Sequence, residues 1–164
     1  MNDWKLRGLV FAGLMVVVRL IQGALINTFQ AQAGVISLVL VVLFVIGPVL
    51  WGLLDGRADA HANPDPDRRR DLAMTWLLAG LVAGILSGAV CWLFGLFYTG
   101  LYTGGLGNEV TTFASFTALL VFIPASIGVT VGRLRVDRGA RAGATSGSDA
   151  QGAVTDVFSA ARED

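Results

Sequence analysis

A chain of 164 residues with 54% hydrophobic and 15% charged side chains, and a mean hydropathy of +0.67, has too little polar sequence to cover a soluble core of its own size. Twelve basic and twelve acidic residues cancel to a net charge of zero, so composition gives no bias toward nucleic acid. The single cysteine, Cys91, excludes an intramolecular disulfide.

Four apolar blocks, 6–26, 35–54, 72–97 and 113–131, each approach the roughly 20 residues that an α-helix needs to cross about 30 Å of hydrocarbon. The sequence therefore predicts an all-α membrane protein: a four-helix transmembrane domain over 1–138 and a disordered cytoplasmic tail, rich in Gly, Ala, Ser and acid, over 139–164. The first block is followed by "AQAG", a site that a cleaved signal peptide would use. Its apolar region is long for that purpose and is interrupted by Arg19, so a retained helix is expected. Arg19 falls about 20 Å along the helix from Leu6. Gln22 follows one turn later and Asn27 at the outer end, giving the outer half of the first span a polar stripe. A charge at the bilayer centre costs roughly 2.5 to 3.5 kcal/mol, which snorkelling reduces. Two destinations stay open for Arg19: the headgroups, or an anionic partner such as Glu109, a lipid phosphate, a carboxylate cargo or a residue of another subunit.

The second and fourth blocks contain Pro48 and Pro124, each removing one helical hydrogen bond. Between the second and third lies "DGRADAHANPDPDRRRD", read as a cytoplasmic loop. In it Asp71 is suited to cap the third helix, His61 is solvated, and Arg68, Arg69 and Arg70 fix topology or contact headgroups or a partner. The third block repeats glycine every four residues, Gly80, Gly84 and Gly88, and the fourth contains Gly128 and Gly132. Small residues let helix backbones approach closely in lipid, so these faces are contact surfaces, filled by another helix of the chain or by a different subunit. The two halves align at Trp4/Trp76, Gly8/Gly80, Pro48/Pro124, Gly52/Gly128, Gly56/Gly132 and Arg57/Arg133. That pattern reads as parallel hairpin repeats about an axis along the membrane normal. Apolar sequences also align by chance, and both explanations stay open.

Lysine and arginine flank the blocks at 5–7, 57–70 and 133–141 and are missing from the connections after the first and third blocks, which by the positive-inside rule places both termini in the cytoplasm of a plasma-membrane protein. Trp4, Trp51 and Trp76 are expected in an inner aromatic belt, and Phe97, Tyr98 and Tyr102 in an outer one. No aspartate or glutamate lies within the four blocks, which disfavours proton-coupled export through an embedded carboxylate. The chain has no P-loop, no metal-ligand cluster and no nucleophile with a base at recognisable spacing. No catalytic residue, cofactor or metal is expected, nor an enzyme.

At "GLMVVVRLIQGALIN", "GVISLVLVVLF", "WGLLDGRADAHANPDPDRRRDLAMTWLLAGLVAGILSGAV" and "TTFASFTALLVF" the chain resembles small actinobacterial, especially mycobacterial, integral membrane proteins described as four-helix drug/metabolite-transporter-like. The resemblance covers about residues 3–138. This family is similar to the accessory membrane subunit of Mce lipid importers, which implies an accessory role beside permease subunits that supports or tunes fatty-acid import. The coupling acid of the better-known drug exporters is missing here. The alternative reading is a small homo-oligomeric transporter for an anionic or lipid-like solute, with Arg19, Gln22 and Asn27 along its path.

Overall fold

The computed structural model describes the backbone of residues 3–97 and 106–160, and side chains up to residue 144 apart from those of Leu106 and Glu109. Every described element is helical: α1 (Asp3–Thr28), α2 (Ala33–Ala62), α3 (Leu72–Phe97) and α4 (Ala114–Ala160). A single helical turn at Leu106–Asn108 and a π-turn at Glu109–Phe113 lead into α4. Four helices are long and apolar enough to cross a membrane, near the blocks read from hydropathy.

The helix ends have local causes. A 3-10 turn at Gln30–Gln32 joins α1 to α2. The second helix does not stop where hydropathy falls at Leu54. It continues to Ala62 because nothing breaks it before Asn63, which takes an extended conformation ahead of Pro64. The expected loop from 55 to 71 is thus reduced to 63–71, and His61 sits exposed on the last turn of α2 and not in a loop. Asp65 accepts from the Asp67 N–H at 3.1 Å to start a 3-10 turn at Pro66–Arg68. Asp71 accepts from the Met74 N–H at 3.0 Å and caps α3 as expected. Both Pro48 and Pro124 lie inside continuous helices. Where the sequence predicts a disordered tail from 139, the backbone of α4 continues as helix through Ala160. The alanines and arginines of 138–142 are good helix formers and carry α4 past its apolar part.

Helix α2 packs most extensively on α4, followed by α1 on α3 and α3 on α4, while α1 meets α2 only slightly. Glycine decides these contacts. A Cβ placed on Gly52 would fall on the Ala125 carbonyl oxygen, and one on Gly56 on that of Val129. Reciprocally, a Cβ on Gly128 would fall on the Val49 carbonyl oxygen and one on Gly132 on that of Leu53. Helices α2 and α4 therefore run parallel, backbone against backbone, each glycine resting on the carbonyl three residues before its counterpart. Such approach gains dispersion and weak Cα–H···O contacts where lipid supplies no hydrophobic force between helices. On the other side of α4, a Cβ on Gly80 would lie 2.7 Å from the Ala118 carbonyl oxygen, and one on Gly84 would meet that of Ala114, so α3 and α4 run antiparallel.

The core gathers Phe11, Phe44, Trp76 and Val121. The Phe11 ring lies 5.9 Å from those of Trp51 and Trp76 and 6.1 Å from that of Phe44, in edge or tilted geometry. This corrects the expected inner aromatic belt: Trp76 is fully buried and Trp51 packs against it, so both serve the interior. Phe97 is exposed at the far end, while Tyr98 and Tyr102 lie outside the described residues.

Candidate functional site: a buried ion-pair cluster at one end of the bundle

The extension of α2 by two turns places Asp55 and Asp59 four residues apart on one helix. The apolar block ends at Leu54, one residue short of Asp55 and five short of Asp59; the block itself carries no acid, but the helix that continues from it carries two. The Arg7 guanidinium of α1 donates to Asp55 Oδ1 at 3.0 Å, with side chains only 10% and 15% exposed. Arg7 also lies over the Trp76 ring, 5.3 Å from its centroid. The Trp76 indole N–H, Arg7 Nη1 and Asp55 Oδ2 are buried without a hydrogen-bond partner among the described residues.

Asp59 is more fully enclosed, its side chain 3% exposed. Arg133 of α4 donates to its Oδ2 from Nε at 3.0 Å and from Nη2 at 2.6 Å. Asp59 Oδ1 accepts from the Arg70 backbone N–H at 3.2 Å and from Asn63 Nδ2 at 3.3 Å. Arg133 Nη2 in turn donates to the Arg70 carbonyl oxygen at 2.7 Å. Beside this knot Arg69 makes a two-pronged bond to Asp137 of α4, with Nη1 3.0 Å from Oδ2 and Nη2 on Oδ1, and donates from Nε to the Asn63 carbonyl oxygen at 3.3 Å. The connection 63–71 is thereby clasped onto α2 and α4. Three arginines balance three aspartates, which is the condition for holding charges in a poorly solvated place. Among the described residues no group of His, Cys, Asp and Glu could hold a metal ion. The arrangement is suited to fixing the relative position of four helix ends.

The basic run divides. Arg69 is consumed by Asp137, Arg70 reaches Asp3 Oδ2 at 3.4 Å with an exposed side chain, and Arg68, 83% exposed, pairs loosely with Asp65 at 3.6 Å. At the other end of α1, Gln22 donates to Ser37 Oγ of α2 at 2.8 Å, and Ser37 donates to the Ala33 carbonyl oxygen at 2.8 Å. The Arg19 guanidinium stacks on the Phe113 ring, 4.1 Å from its centroid. Asn27 is exposed, and the side chain of Glu109, one of the anionic partners considered for Arg19, lies outside the described residues. The glycine faces offered to a different subunit are occupied within the chain: Gly80 and Gly84 by α4, Gly128 and Gly132 by α2, with Gly88 buried on the same helix. A docking surface on the α3 glycines is corrected for that reason. The pairings of Arg7 with Asp55 and Arg133 with Asp59 were missed by sequence reasoning. Their only local trace is the four-residue spacing of Asp55 and Asp59, matched by that of Arg133 and Asp137.

No family model matches the chain, and no curated protein matches it.

Proposed function

We propose that the chain is an accessory integral membrane subunit that docks beside the permeases of a larger lipid importer of Mce type in the plasma membrane and supports or tunes fatty-acid transport. The sequence resemblance over 3–138 supplies the class of partner. The observation that carries the reading against unaided transport is the engagement of the polar stripe inside the chain: Gln22 on Ser37 and Arg19 on the Phe113 ring. In this reading both termini and the ion-pair cluster face the cytoplasm, as the basic residues require. The two hairpins descend from one duplicated hairpin, which the reciprocal contacts of Gly52, Gly56, Gly128 and Gly132 support.

With the α3 glycines covered, docking falls to the least buried spans, α1 and α2. The outer half of α2 presents Leu38, Val39, Val42 and Ile46, all exposed, where α1 packs only slightly. Purification from native membranes in mild detergent should bring permease subunits with the chain, and Leu38→Trp with Val42→Trp should release them without lowering the thermal unfolding midpoint. Reconstituted protein that moves an anionic or lipid-like solute unaided, with flux lost in Arg19→Leu, would overturn the reading in favour of a homo-oligomeric transporter.

A further inference from the structure

The crossing of α2 and α4 obeys an approximate two-fold exchange in which residue i of α2 is replaced by residue i + 76 of α4. Gly52 on the Ala125 carbonyl maps onto Gly128 on the Val49 carbonyl, and Gly56 on Val129 maps onto Gly132 on Leu53. Under this exchange Arg133 maps onto Arg57, and Asp59 maps onto Arg135. The positions equivalent to the Arg133–Asp59 pair across the helix crossing are therefore both arginines, Arg57 and Arg135. The contact of Gly132 with the backbone nitrogen of Arg57, 3.0 Å from a Cβ on the glycine, fixes Arg57 at this level of α4.

Like charges so placed favour a shared anion, and no described carboxylate pairs with either of them. Asp55 is taken by Arg7, Asp59 by Arg133 and Asp137 by Arg69. Arg57 is half-buried, Arg135 and Arg138 are exposed, and none of the three has an ion pair or hydrogen bond from its side chain to another described residue. Arg138 follows Arg135 by three residues, on neighbouring positions of the helix surface. Arg138 lies on the side of α4 that carries Ile123, Ile127 and Leu134, exposed apolar side chains of the membrane-facing stripe, and so stands where that stripe ends.

We propose that Arg57 and Arg135, with Arg138 beside them, form a binding site for the phosphate of an anionic phospholipid headgroup at the end of the bundle that holds the ion-pair cluster. The chemistry required is a phosphate that accepts from two guanidinium groups at once. The adjoining apolar stripe, which acyl chains would cover, selects a lipid over free phosphate. The site is independent of any importer partner.

The test is native mass spectrometry of the full-length protein in detergent, titrated with phosphatidylglycerol, with phosphatidylcholine, or with phosphatidylglycerol in the presence of inorganic phosphate. Wild-type protein is expected to retain phosphatidylglycerol over phosphatidylcholine, undisturbed by millimolar phosphate, and R57Q/R135Q to bind it roughly thirtyfold more weakly. R68Q, altered at an exposed arginine elsewhere, should bind as wild type. The decisive variant is R135D, which gives Arg57 an acidic neighbour: it should lose the lipid while its thermal midpoint rises. Equal binding by wild type and R57Q/R135Q, displacement by inorganic phosphate, or a lowered midpoint in R135D would each overturn the proposal.

Discussion

Arg133 and Asp59, 74 residues apart in sequence, are joined by two hydrogen bonds to one carboxylate oxygen, 3.0 and 2.6 Å long. The two partners differ in exposure, 25% for Arg133 against 3% for Asp59, and that asymmetry sets the outcome of mutation. Arg133→Leu strands a buried carboxylate and should cost about 3 kcal/mol. Asp59→Asn leaves an arginine able to turn toward water, with an amide oxygen still facing the Arg70 N–H, and should cost about half as much. Thermal unfolding in detergent ranks the two; equal losses would contradict the asymmetry.

Arg7 and Asp55 form the second pair of the cluster, and here both partners are nearly enclosed. Removing either one in Arg7→Leu or Asp55→Leu should destabilise by about 3 kcal/mol or more, because the other is left charged and desolvated. The double variant should recover most of that loss, because two well-packed apolar groups replace a pair that was costly to bury. A double-mutant cycle in which the two losses simply add would show that the pair is not coupled.

Gly56 and Gly13 test the helix crossing. A methyl group on Gly56 meets the Val129 carbonyl oxygen, whereas one on Gly13 meets nothing within 4 Å. Gly56→Ala should force α2 from α4 and cost at least about 3 kcal/mol, beyond ordinary overpacking because the obstacle is backbone. Gly13→Ala should be neutral or stabilising by up to about 1 kcal/mol through helix propensity. The midpoints of the two alanine variants, measured side by side, check the ordering.

Gln22 bonded to Ser37 gives a smaller effect. A hydrogen bond between helices in a bilayer contributes about 0.6 kcal/mol on average. Gln22→Leu should therefore lower stability by less than about 1 kcal/mol and leave the yield of membrane-inserted protein unchanged. A loss several times larger would mean that this side chain holds more than Ser37.

The spans were legible because an uninterrupted apolar run in a short chain permits few other readings, and the Asp71 cap was legible because a cap acts on its own next three residues. The end of α2 was not. Hydropathy drops at Asp55, yet backbone hydrogen bonding ignores that drop, and only Asn63 ahead of Pro64 stops the helix. The ion-pair cluster then follows from contacts across 48, 68 and 74 residues that no local pattern encodes. The α3 glycines announced a contact surface but not its occupant, since Ala114 and Ala118 on α4 serve a close approach as well as any foreign helix. Trp76 was misplaced for a related reason: a tryptophan near a span end is equally suited to the interface and to the interior, and Phe11 and Trp51 decide the matter.

The glycine contacts also distribute stiffness. With no side chains between them to change rotamer, α2 and α4 can neither slide nor roll without collision, and Gly80 and Gly84 tie α3 into the same rigid unit. α1 packs on α3 as extensively as α4 does, but largely through side chains such as Phe11 and Met15; Gly8 against Val82 and Arg7 hold it near its start, and the Gln22 and Arg19 contacts further along. Amides in its outer half should exchange with solvent deuterium long before those around Gly52 and Gly56, making α1 the element whose swing a neighbouring protein would feel.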